Sequence, residues 1–382
     1  MNFSDSVNAL SKYVESCSFK GCDPYDALMG WSDFRLLGKW APAVLVQLHK
    51  RNPLNFRPLM GIPKMRNAKA MGLFLSAYGL MDDENAWIQQ REIFDWLCEN
   101  QSPEGGWGYP FHWANPEKFL PAGTPSAVVT GFVSKGIYDY FSRTHDPRAI
   151  ELFKKAAQFV LSRLSRTETA AGLCFSYTSV KRDCCYNASL LAAEVLARLY
   201  AIQPDAQLQE LITRAVDFVI AHQYTDGHWN YSLDMQTGVE RDQIDFHQGF
   251  ILDSLHSLIR FCNLDAPKYQ TALVKGTAFY RYQQFFPDGR SKWRLPHIWP
   301  VDIHHQAQGI ITFCKLQHLH EDYLPFAHTI AKWTIEHMQD RRGYFYYQKH
   351  RWYTNRIPYM RWSQAWMMLA LATLQCASSS RT

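Results

Sequence analysis

Six apolar segments recur along the chain at a nearly constant interval. Each segment opens with polar or small residues and then stays apolar on nearly every side, which is typical of a helix that is buried all round. The interval is longer than that of common solenoid repeats and suits a repeated pair of long helices. The segments start at Asn67, Pro125, Asn187, His247, His305 and Ser363, in steps of 58, 62, 60, 58 and 58 residues.

Amphipathic segments alternate with the buried ones. One follows the capping residues Asp82 to Asn85 and ends near Asn100, and the others cover about 146–165, 206–223, 267–284 and 321–338. A helical stretch at 25–51 is expected to supply a sixth. The inner helices are expected at about 67–80, 125–141, 187–202, 247–261, 305–319 and 363–375. The sequence therefore predicts an all-α (α/α)6 toroid, with 1–382 as one domain and 1–24 as a lead-in segment.

The loops after the amphipathic segments share a pattern in which a Gln is followed by Gly and an aromatic residue. It is clearest from Gln101 to Trp107 and from Gln223 to Trp229. Gln can cap free carbonyls at a helix end and Gly permits a left-handed turn, so the pattern favours a structural tie. It resembles the Gln–Trp repeats of squalene cyclases and protein prenyltransferases, and the resemblance implies a closed barrel of inner and outer helices. The Asp-x-Asp-Asp proton donor of the cyclases and the Asp-Asp-x-x-Asp metal motif of terpene synthases are both absent.

Composition narrows the class of protein. The 40 basic and 35 acidic residues form no basic run, which argues against a nucleic-acid partner. No stretch of about eighteen apolar residues predicts a membrane span. The start of the chain shows no signal peptide, and the nine Cys form no CxxC pair, so a cytoplasmic protein is expected. No local motif predicts a metal ion or another cofactor, although His and Asp residues spread across the repeats could hold zinc or iron.

The repeat register predicts a site at one mouth of the toroid, where the N-terminal ends of the inner helices meet. The pattern Asp-x-His occurs there twice, as Asp245 to His247 and as Asp302 to His304. A carboxylate beside an imidazole can fix its tautomer, so these four residues are the catalytic candidates. The alternative is that each Asp caps a helix and each His packs. The register also places further candidates at this mouth, namely His305, Asn187, Tyr186, Trp107, Arg361 and Trp362.

A C-terminal stretch adds two candidate site residues, the phenol of Tyr346 and the cation of Arg361. Tyr346, followed by Lys349-His350 and then Arg361-Trp362, resembles the C-terminal part of glucuronyl 5-epimerases, although Lys349 stands where that family has Arg. The resemblance implies Tyr346 as a proton-transfer residue and Arg361 as a carboxylate anchor. The alternative is that the aromatic residues form a hairpin packed over the barrel end. Arg57 and Tyr359 complete the substrate-binding candidates.

The chain as a whole resembles toroid proteins met in bacterial and archaeal exopolysaccharide gene clusters. The shared stretches begin at Asp23, Asp245, Pro300 and Tyr359. We therefore expect a carbohydrate-active enzyme that acts on an acidic, uronic-acid-containing glycan by acid/base proton transfer, as epimerase, lyase or hydrolase. Its expected partners are an acidic oligosaccharide or a lipid-linked sugar, and polysaccharide-synthesis enzymes with which it would associate. Two alternatives are an isoprenoid enzyme (terpene cyclase or prenyltransferase) and a non-catalytic toroid that binds a glycan or a partner protein.

Overall fold

The computed structural model describes residues 3–115 and 118–379, and helices dominate them. Within those ranges, no helix combines the length and the apolar character that crossing a bilayer requires. The α-helices are α1 (Phe3–Ser16), α2 (Trp40–Arg51), α3 (Ala68–Gly79), α4 (Glu84–Glu99), α5 (Ala127–Thr144), α6 (Pro147–Ser162), α7 (Tyr186–Ile202), α8 (Ala206–Ala221), α9 (His247–Cys262), α10 (Pro267–Gln283), α11 (Ile303–Lys315), α12 (Tyr323–Met338) and α13 (Trp366–Ser379).

Six helices form the inner ring, and they are the six that the apolar repeat predicts. Helices α3, α5, α7, α9, α11 and α13 pack in this order, and α13 returns to α3, which closes the ring. The predicted all-α (α/α)6 toroid is confirmed. The bounds agree to within a few residues, except that α11 ends at Lys315 and the last inner helix begins with a π-helical turn at Met360–Ala365.

The sixth outer position is taken by α1, and the prediction that 25–51 would supply it is wrong. Two hydrogen bonds at equivalent places show this. Gln101 donates to the carbonyl of Leu152 on the next outer helix, α6 (3.2 Å), and Gln339 donates in the same way to the carbonyl of Ser6 on α1 (3.2 Å). The first helix of the chain therefore closes the ring from outside, beside the last inner helix. Its core-facing residues are Val7, Leu10 and Val14.

Residues 23–62, here called the lid, lie over the mouth of the toroid instead of in the outer ring. They hold short 3₁₀ turns at Asp26–Met29 and Arg35–Leu37 together with α2. The helical pattern in 25–51 comes from α2, which does form. The buried side of α2, however, packs in a small apolar cluster that is separate from the main core. That cluster comprises Ala27, Leu28, Val46 and Ala114.

Short antiparallel strands fill the loops. They form four sheets, ordered β1-β2, β3-β4, β5-β6-β7 and β10-β9-β8. Strands β5 and β8 run directly into α7 and α11, so these sheets lie at the N-terminal end of the inner ring. The strands are β1 (Trp113–Asn115), β2 (Lys118–Leu120), β3 (Arg166–Thr169), β4 (Gly172–Phe175), β5 (Cys184–Cys185), β6 (Ser232–Leu233), β7 (Glu240–Arg241), β8 (Val301–Asp302), β9 (Gln348–Lys349) and β10 (Thr354–Asn355).

The Gln-Gly-aromatic loops tie neighbouring hairpins together. Gln101 donates to the carbonyl of Gly105 in its own loop (2.7 Å) as well as to the next outer helix, and Trp107 Nε1 donates back to the carbonyl of Leu97 (3.1 Å). Gly105 has φ +92°, and a Cβ there would lie 2.2 Å from the carbonyl oxygen of Lys155. Only glycine fits this approach, so the loop pattern is a structural tie.

Candidate active site

The first Asp-x-His pair forms a hydrogen-bonded dyad at the start of α9. Asp245 Oδ1 accepts from the ring Nδ1 of His247 (2.5 Å) and from its backbone N–H (3.1 Å), and Gln243 donates to the other oxygen (2.8 Å). Burial would raise the pKa of Asp245, but His247 and these hydrogen bonds together hold it below its usual value. The carboxylate therefore orients the imidazole, and Nε2, which the described residues leave without a hydrogen bond, is available to a substrate.

The second pair, Asp302 and His304, has the same spacing but a different arrangement. Asp302 accepts from the backbone N–H of His304 (2.9 Å), from Trp362 Nε1 (2.9 Å) and from Gln348 Nε2 (2.6 Å). It caps α11 and does not contact the imidazole. Burial raises the pKa of Asp302 to about 6. The prediction of two equivalent Asp–His pairs is therefore wrong, because the backbone N–H and the indole donate to one oxygen of this carboxylate and Gln348 donates to the other.

The His304 imidazole lies in an aromatic box. Its side chain is buried, and neither ring nitrogen has a hydrogen-bond partner. The ring stacks on Phe246 (4.5 Å between centroids) and contacts Trp362 (4.6 Å) and Trp366 (4.5 Å). Burial, and after it the charge of Lys69, keep the pKa of His304 well below its usual value. The imidazole is therefore neutral at physiological pH and can accept a proton.

His247 and His304 lie at the same mouth, as the repeat register predicts. Phe246 stacks on both rings, at 4.3 Å from His247 and 4.5 Å from His304. Phe250 contacts both as well, at 5.6 and 5.5 Å. The two imidazoles thus contact the same two rings, Phe246 and Phe250, although their hydrogen bonding differs. These two rings are here called the aromatic floor.

A buried lysine, which the sequence reasoning missed, lies beside this floor. Lys69, on α3, places its Nζ 4.3 Å from the ring centre of Phe132, 5.3 Å from that of Phe250 and 5.2 Å from that of Trp366. None of the described carboxylates forms an ion pair with it. Burial, followed by the charge of Arg361, lowers its pKa well below the usual value. A signal was present, because a Lys inside an apolar inner helix is costly to bury without a partner.

Arg361 already binds a carboxylate, and this carboxylate is that of Asp23 in the lid. Its Nε and Nη2 donate to the two oxygens of Asp23 (2.5 and 2.8 Å), and its guanidinium lies 4.9 Å from the ring centre of Tyr109. Arg57, the other predicted anchor, is fully buried against Asp26 (2.7 Å). Arg57 therefore fixes the lid and does not face a substrate, whereas Arg361 shows the bidentate geometry expected of an anchor.

Five loops each carry an aromatic residue at the same position, and the sequence reasoning missed this row. In each loop a backbone N–H donates to a polar side chain of the following inner helix, and the donors are Trp107, Phe175, Trp229, Ser291 and Phe345. Two residues after each donor stands an aromatic residue. These are Tyr109, Tyr177, Tyr231, Trp293 and Tyr347. The recurrence of this spacing in five repeats was the available signal.

The first three members of the row lie close to one another at the mouth. Tyr109, Tyr177 and Tyr231 are all partly exposed, and the ring of Tyr231 meets that of His247 edge-on at 4.8 Å. Together with Arg361 at the Tyr109 end, they connect the anchor to the Asp245–His247 dyad. Aromatic faces of this kind suit the C–H surfaces of sugars.

Tyr346 does not lie beside this row. Its hydroxyl donates to Asp340 (3.1 Å), and its ring contacts Tyr344 and Arg356. Side chains alternate along an extended segment, so the neighbouring Tyr347 points inward where Tyr346 points outward. The predicted placement of Tyr346 on the rim is wrong by one residue.

Three other predicted residues also face away from the mouth. Trp107 is buried in its loop tie. Tyr186 packs between α7 and α8, where its hydroxyl donates to Glu240. His305 lies between the rings of Tyr280 (5.6 Å) and Phe285 (5.1 Å), and burial lowers its pKa to about 4. Since successive helical residues point about 100° apart, His304 faces the mouth and His305 faces the outer ring.

The remaining predicted residues are buried and pack around the mouth. Asn187 is buried and accepts from Cys185 Sγ (3.1 Å), and Tyr359 is buried beneath Arg57 (4.7 Å). Trp362 forms a wall of the His304 box, and Tyr25 of the lid covers it (5.8 Å). In the part of the chain that the structure describes, no group of three or more His, Cys, Asp or Glu side chains is arranged to hold a metal ion.

Comparisons with known proteins bear on the fold. No protein-family model matches the chain, and no curated protein matches it by sequence. Among solved structures it is similar to a cellobiose 2-epimerase from Bacillus thermoamylovorans, with TM-score 0.68 and 13% identity over 83% of this chain and 88% of that one. An unsaturated glucuronyl hydrolase specific for heparin matches with TM-score 0.65 and 12% identity, over 99% and 96%. An α-1,6-mannanase of glycoside hydrolase family 76 from Salegentibacter matches with TM-score 0.61 and 10% identity, over the full length of both chains.

Proposed function

We propose that the protein is a carbohydrate-processing enzyme that moves a proton on an acidic sugar, with His247 and His304 as the acid/base pair. The observation that carries the proposal is the position of these two imidazoles on one aromatic floor, next to the cations Lys69 and Arg361. The solved structures of similar fold include a sugar epimerase and a hydrolase of acidic glycans, which supports the substrate class.

The state of the carboxylates favours proton transfer at carbon over hydrolysis of a glycosidic bond. Glycoside hydrolysis ordinarily uses two carboxylates that face the scissile bond. Here Asp23, Asp245 and Asp302 each accept hydrogen bonds from the protein on both oxygens. The imidazoles are the groups left for chemistry, so epimerase or lyase action fits better.

The proposed step begins with neutral His304, which takes the proton from the carbon beside the sugar's carboxyl or carbonyl group. The electron pair of the broken C–H bond moves onto the carbonyl oxygen. Lys69 and Arg361 stabilise the negative charge that develops there, since preorganised cations in a dry site favour such a charge. His247, held by Asp245, returns a proton to the carbon from the other side, which inverts it.

An acidic substrate is favoured because the site already binds a carboxylate. Asp23 occupies the bidentate position on Arg361. A sugar carboxylate offers the same two oxygens, so we propose that it replaces Asp23 when the lid opens. Lid opening is required in any case, because Tyr25 covers Trp362 and the His304 side chain is buried.

The setting of the reaction is also part of the proposal. We place the protein among the toroid proteins of exopolysaccharide gene clusters on its resemblance to them, with a lipid-linked or polymeric uronic acid as substrate and synthesis enzymes as partners. A cytoplasmic location is supported by cysteines that pack as thiols in the core, such as Cys174 and Cys185.

The test is hydrogen exchange on uronic-acid-containing oligosaccharides in deuterated water. Wild type is expected to place deuterium on the carbon beside the carboxyl group, and His247→Gln and His304→Gln are expected to lower the rate about a hundred- to ten-thousandfold. His305→Gln is the matched control, because it removes the adjacent imidazole, which faces the outer ring, and it should keep the exchange rate. If no acidic glycan exchanges while a prenyl diphosphate binds and reacts, the isoprenoid alternative replaces the proposal.

A further inference from the structure

The outer surface of the lid carries an unusual concentration of exposed apolar side chains. Of the 21 large apolar residues that are exposed, nine lie between residues 31 and 59. The other twelve are spread over the rest of the described chain. The nine, here called the lid face, are Trp31, Leu36, Leu37, Trp40, Val44, Leu48, Leu54, Phe56 and Leu59.

Helix α2 shows that this exposure is not a packing accident. Its buried side, with Ala43 and Val46, packs on the small cluster beneath the lid. Its opposite side presents Trp40 (61% exposed), Val44 (49%) and Leu48 (64%) at intervals of four residues, which form one stripe. A helix that needed only to cover the mouth would carry polar residues on that side.

The charges around the lid face are nearly all positive. Between residues 31 and 59 the only acidic residue is Asp33, and the basic ones are Arg35, Lys39, Lys50, Arg51 and Arg57. Arg57 is buried on Asp26, but Lys39 and Arg51 are exposed at the two ends of α2. The neighbouring hairpin, whose Asn355 donates to the carbonyl of Asn52 (3.3 Å), adds the exposed Arg351 and Trp352.

From this combination we infer that the lid face docks on the surface of an anionic lipid bilayer. Tryptophan and leucine on one side of a helix, with Lys and Arg around it, are the composition of segments that lie in the membrane interface. A negative surface matches the positive rim, and each Lys or Arg near it contributes to binding. The inner surface of the same segment holds Arg361 through Asp23, so docking would act on the segment that closes the site.

The inference is tested by sedimentation of the full-length protein with vesicles and without any sugar, so its result does not depend on the proposed chemistry. Wild type is expected to sediment with vesicles of phosphatidylcholine and phosphatidylglycerol, and much less with phosphatidylcholine alone. Trp40→Ser/Leu48→Ser should weaken binding at least about tenfold. Lys39→Gln/Arg51→Gln should weaken it about fivefold for each charge removed.

Matched controls come from the outer helices, where Ile88 and Val274 are exposed apolar residues and Lys332 is an exposed cation. Ile88→Ser/Val274→Ser and Lys332→Gln should bind vesicles like wild type. Thermal unfolding identifies any variant that fails to fold. Wild type that stays in solution with anionic vesicles overturns the inference. So does a wild-type dimer that Trp40→Ser/Leu48→Ser converts to a monomer, because a second copy would then cover the lid face.

Discussion

The two ends of the inner ring are built from the same six helices, but they differ in whether the lysines of the inner helices have ion-pair partners. At the mouth, Lys69 has no ion-pair partner among the described residues, and the His304 ring makes no hydrogen bond. At the far end, Lys135 pairs with Asp139 (2.6 Å), and Lys315 pairs with Asp253 (2.8 Å). The difference indicates that the mouth retains unpaired groups at a cost in stability, which is a common property of functional sites.

The far end is a closed network. Arg198 and Glu194 form a pair (2.5 Å), and Ser254 donates to the other oxygen of Glu194 (2.5 Å). The cavity among these residues is about 20 Å³, room for roughly one water molecule. No substrate fits there, so these charges serve the structure.

The largest expected effect is on kcat, from Lys69→Met at the mouth of the inner ring. Removing a cation that stabilises a developing negative charge should lower kcat about a hundred- to a thousandfold. Stability should stay level or rise, because a buried amine with no ion-pair partner among the described residues is replaced by an apolar side chain. Exchange kinetics and thermal unfolding measured on the same sample provide the check. A Lys69→Met protein that is active but unstable would show that Lys69 is structural and remove the contrast.

Arg198→Met is the corresponding change at the far end. It leaves Glu194, which is 5% exposed, with only Ser254 as a polar side-chain partner. Breaking a buried pair on one side typically costs about 3–5 kcal/mol. Denaturant unfolding should show a loss of this size, while the exchange rate of the protein that remains folded is unchanged. Arg163→Met, on an exposed side chain that directly follows α6, is the control and should change stability little.

The fold was predictable because burial itself is periodic in this sequence. Each inner helix is apolar on nearly every side, so its position follows from composition and from the spacing of the repeat. The sixth outer helix was not predictable from chain order, since ring closure places α1 beside the last inner helix, α13. The lid caused the error, because a helix that covers a site and carries an exposed apolar face has the same pattern as an outer helix.

The candidate site was predictable only as far as the repeat register reaches. The register places His247 and His304 together, but it does not specify which atoms Asp302 accepts from. It also does not distinguish Tyr346 from Tyr347, because that choice depends on the alternation of one short extended segment. Asp23 was not predicted as a site residue, because its contact with Arg361 joins residues 338 positions apart.

The pH dependence of stability tests whether His305 on α11 is buried as a neutral group. Burial lowers the pKa of His305 to about 4. Below about pH 6.5 the unfolded chain therefore binds a proton at His305, whereas the native state does not. Stability is therefore lost as the pH falls from about 6.5 towards 4. At pH 5 this loss is about 2 kcal/mol. His305→Phe should reduce the loss between pH 7 and pH 5 by about this amount in denaturant unfolding. An unchanged pH slope would mean that His305 is not buried as a neutral group.

The smallest effect concerns the exchange of carboxylates at Arg361. In Asp23→Ala the guanidinium loses its bidentate partner, so the variant should be less stable than wild type. If Arg361 is the substrate anchor, free glucuronate should occupy the vacated position and restore part of that stability. A ligand at ten times its Kd stabilises by about 1.4 kcal/mol, so the midpoint of thermal unfolding should rise with glucuronate in Asp23→Ala more than in wild type. Glucose, which lacks the carboxylate, is the control ligand and should give no such rise. The double variant Asp23→Ala/Arg361→Met should lose the response, because it has neither the carboxylate nor its anchor. Equal responses to glucose and glucuronate would show that Arg361 only fastens the lid, and the preference for an acidic sugar would then have to rest on Lys69 alone.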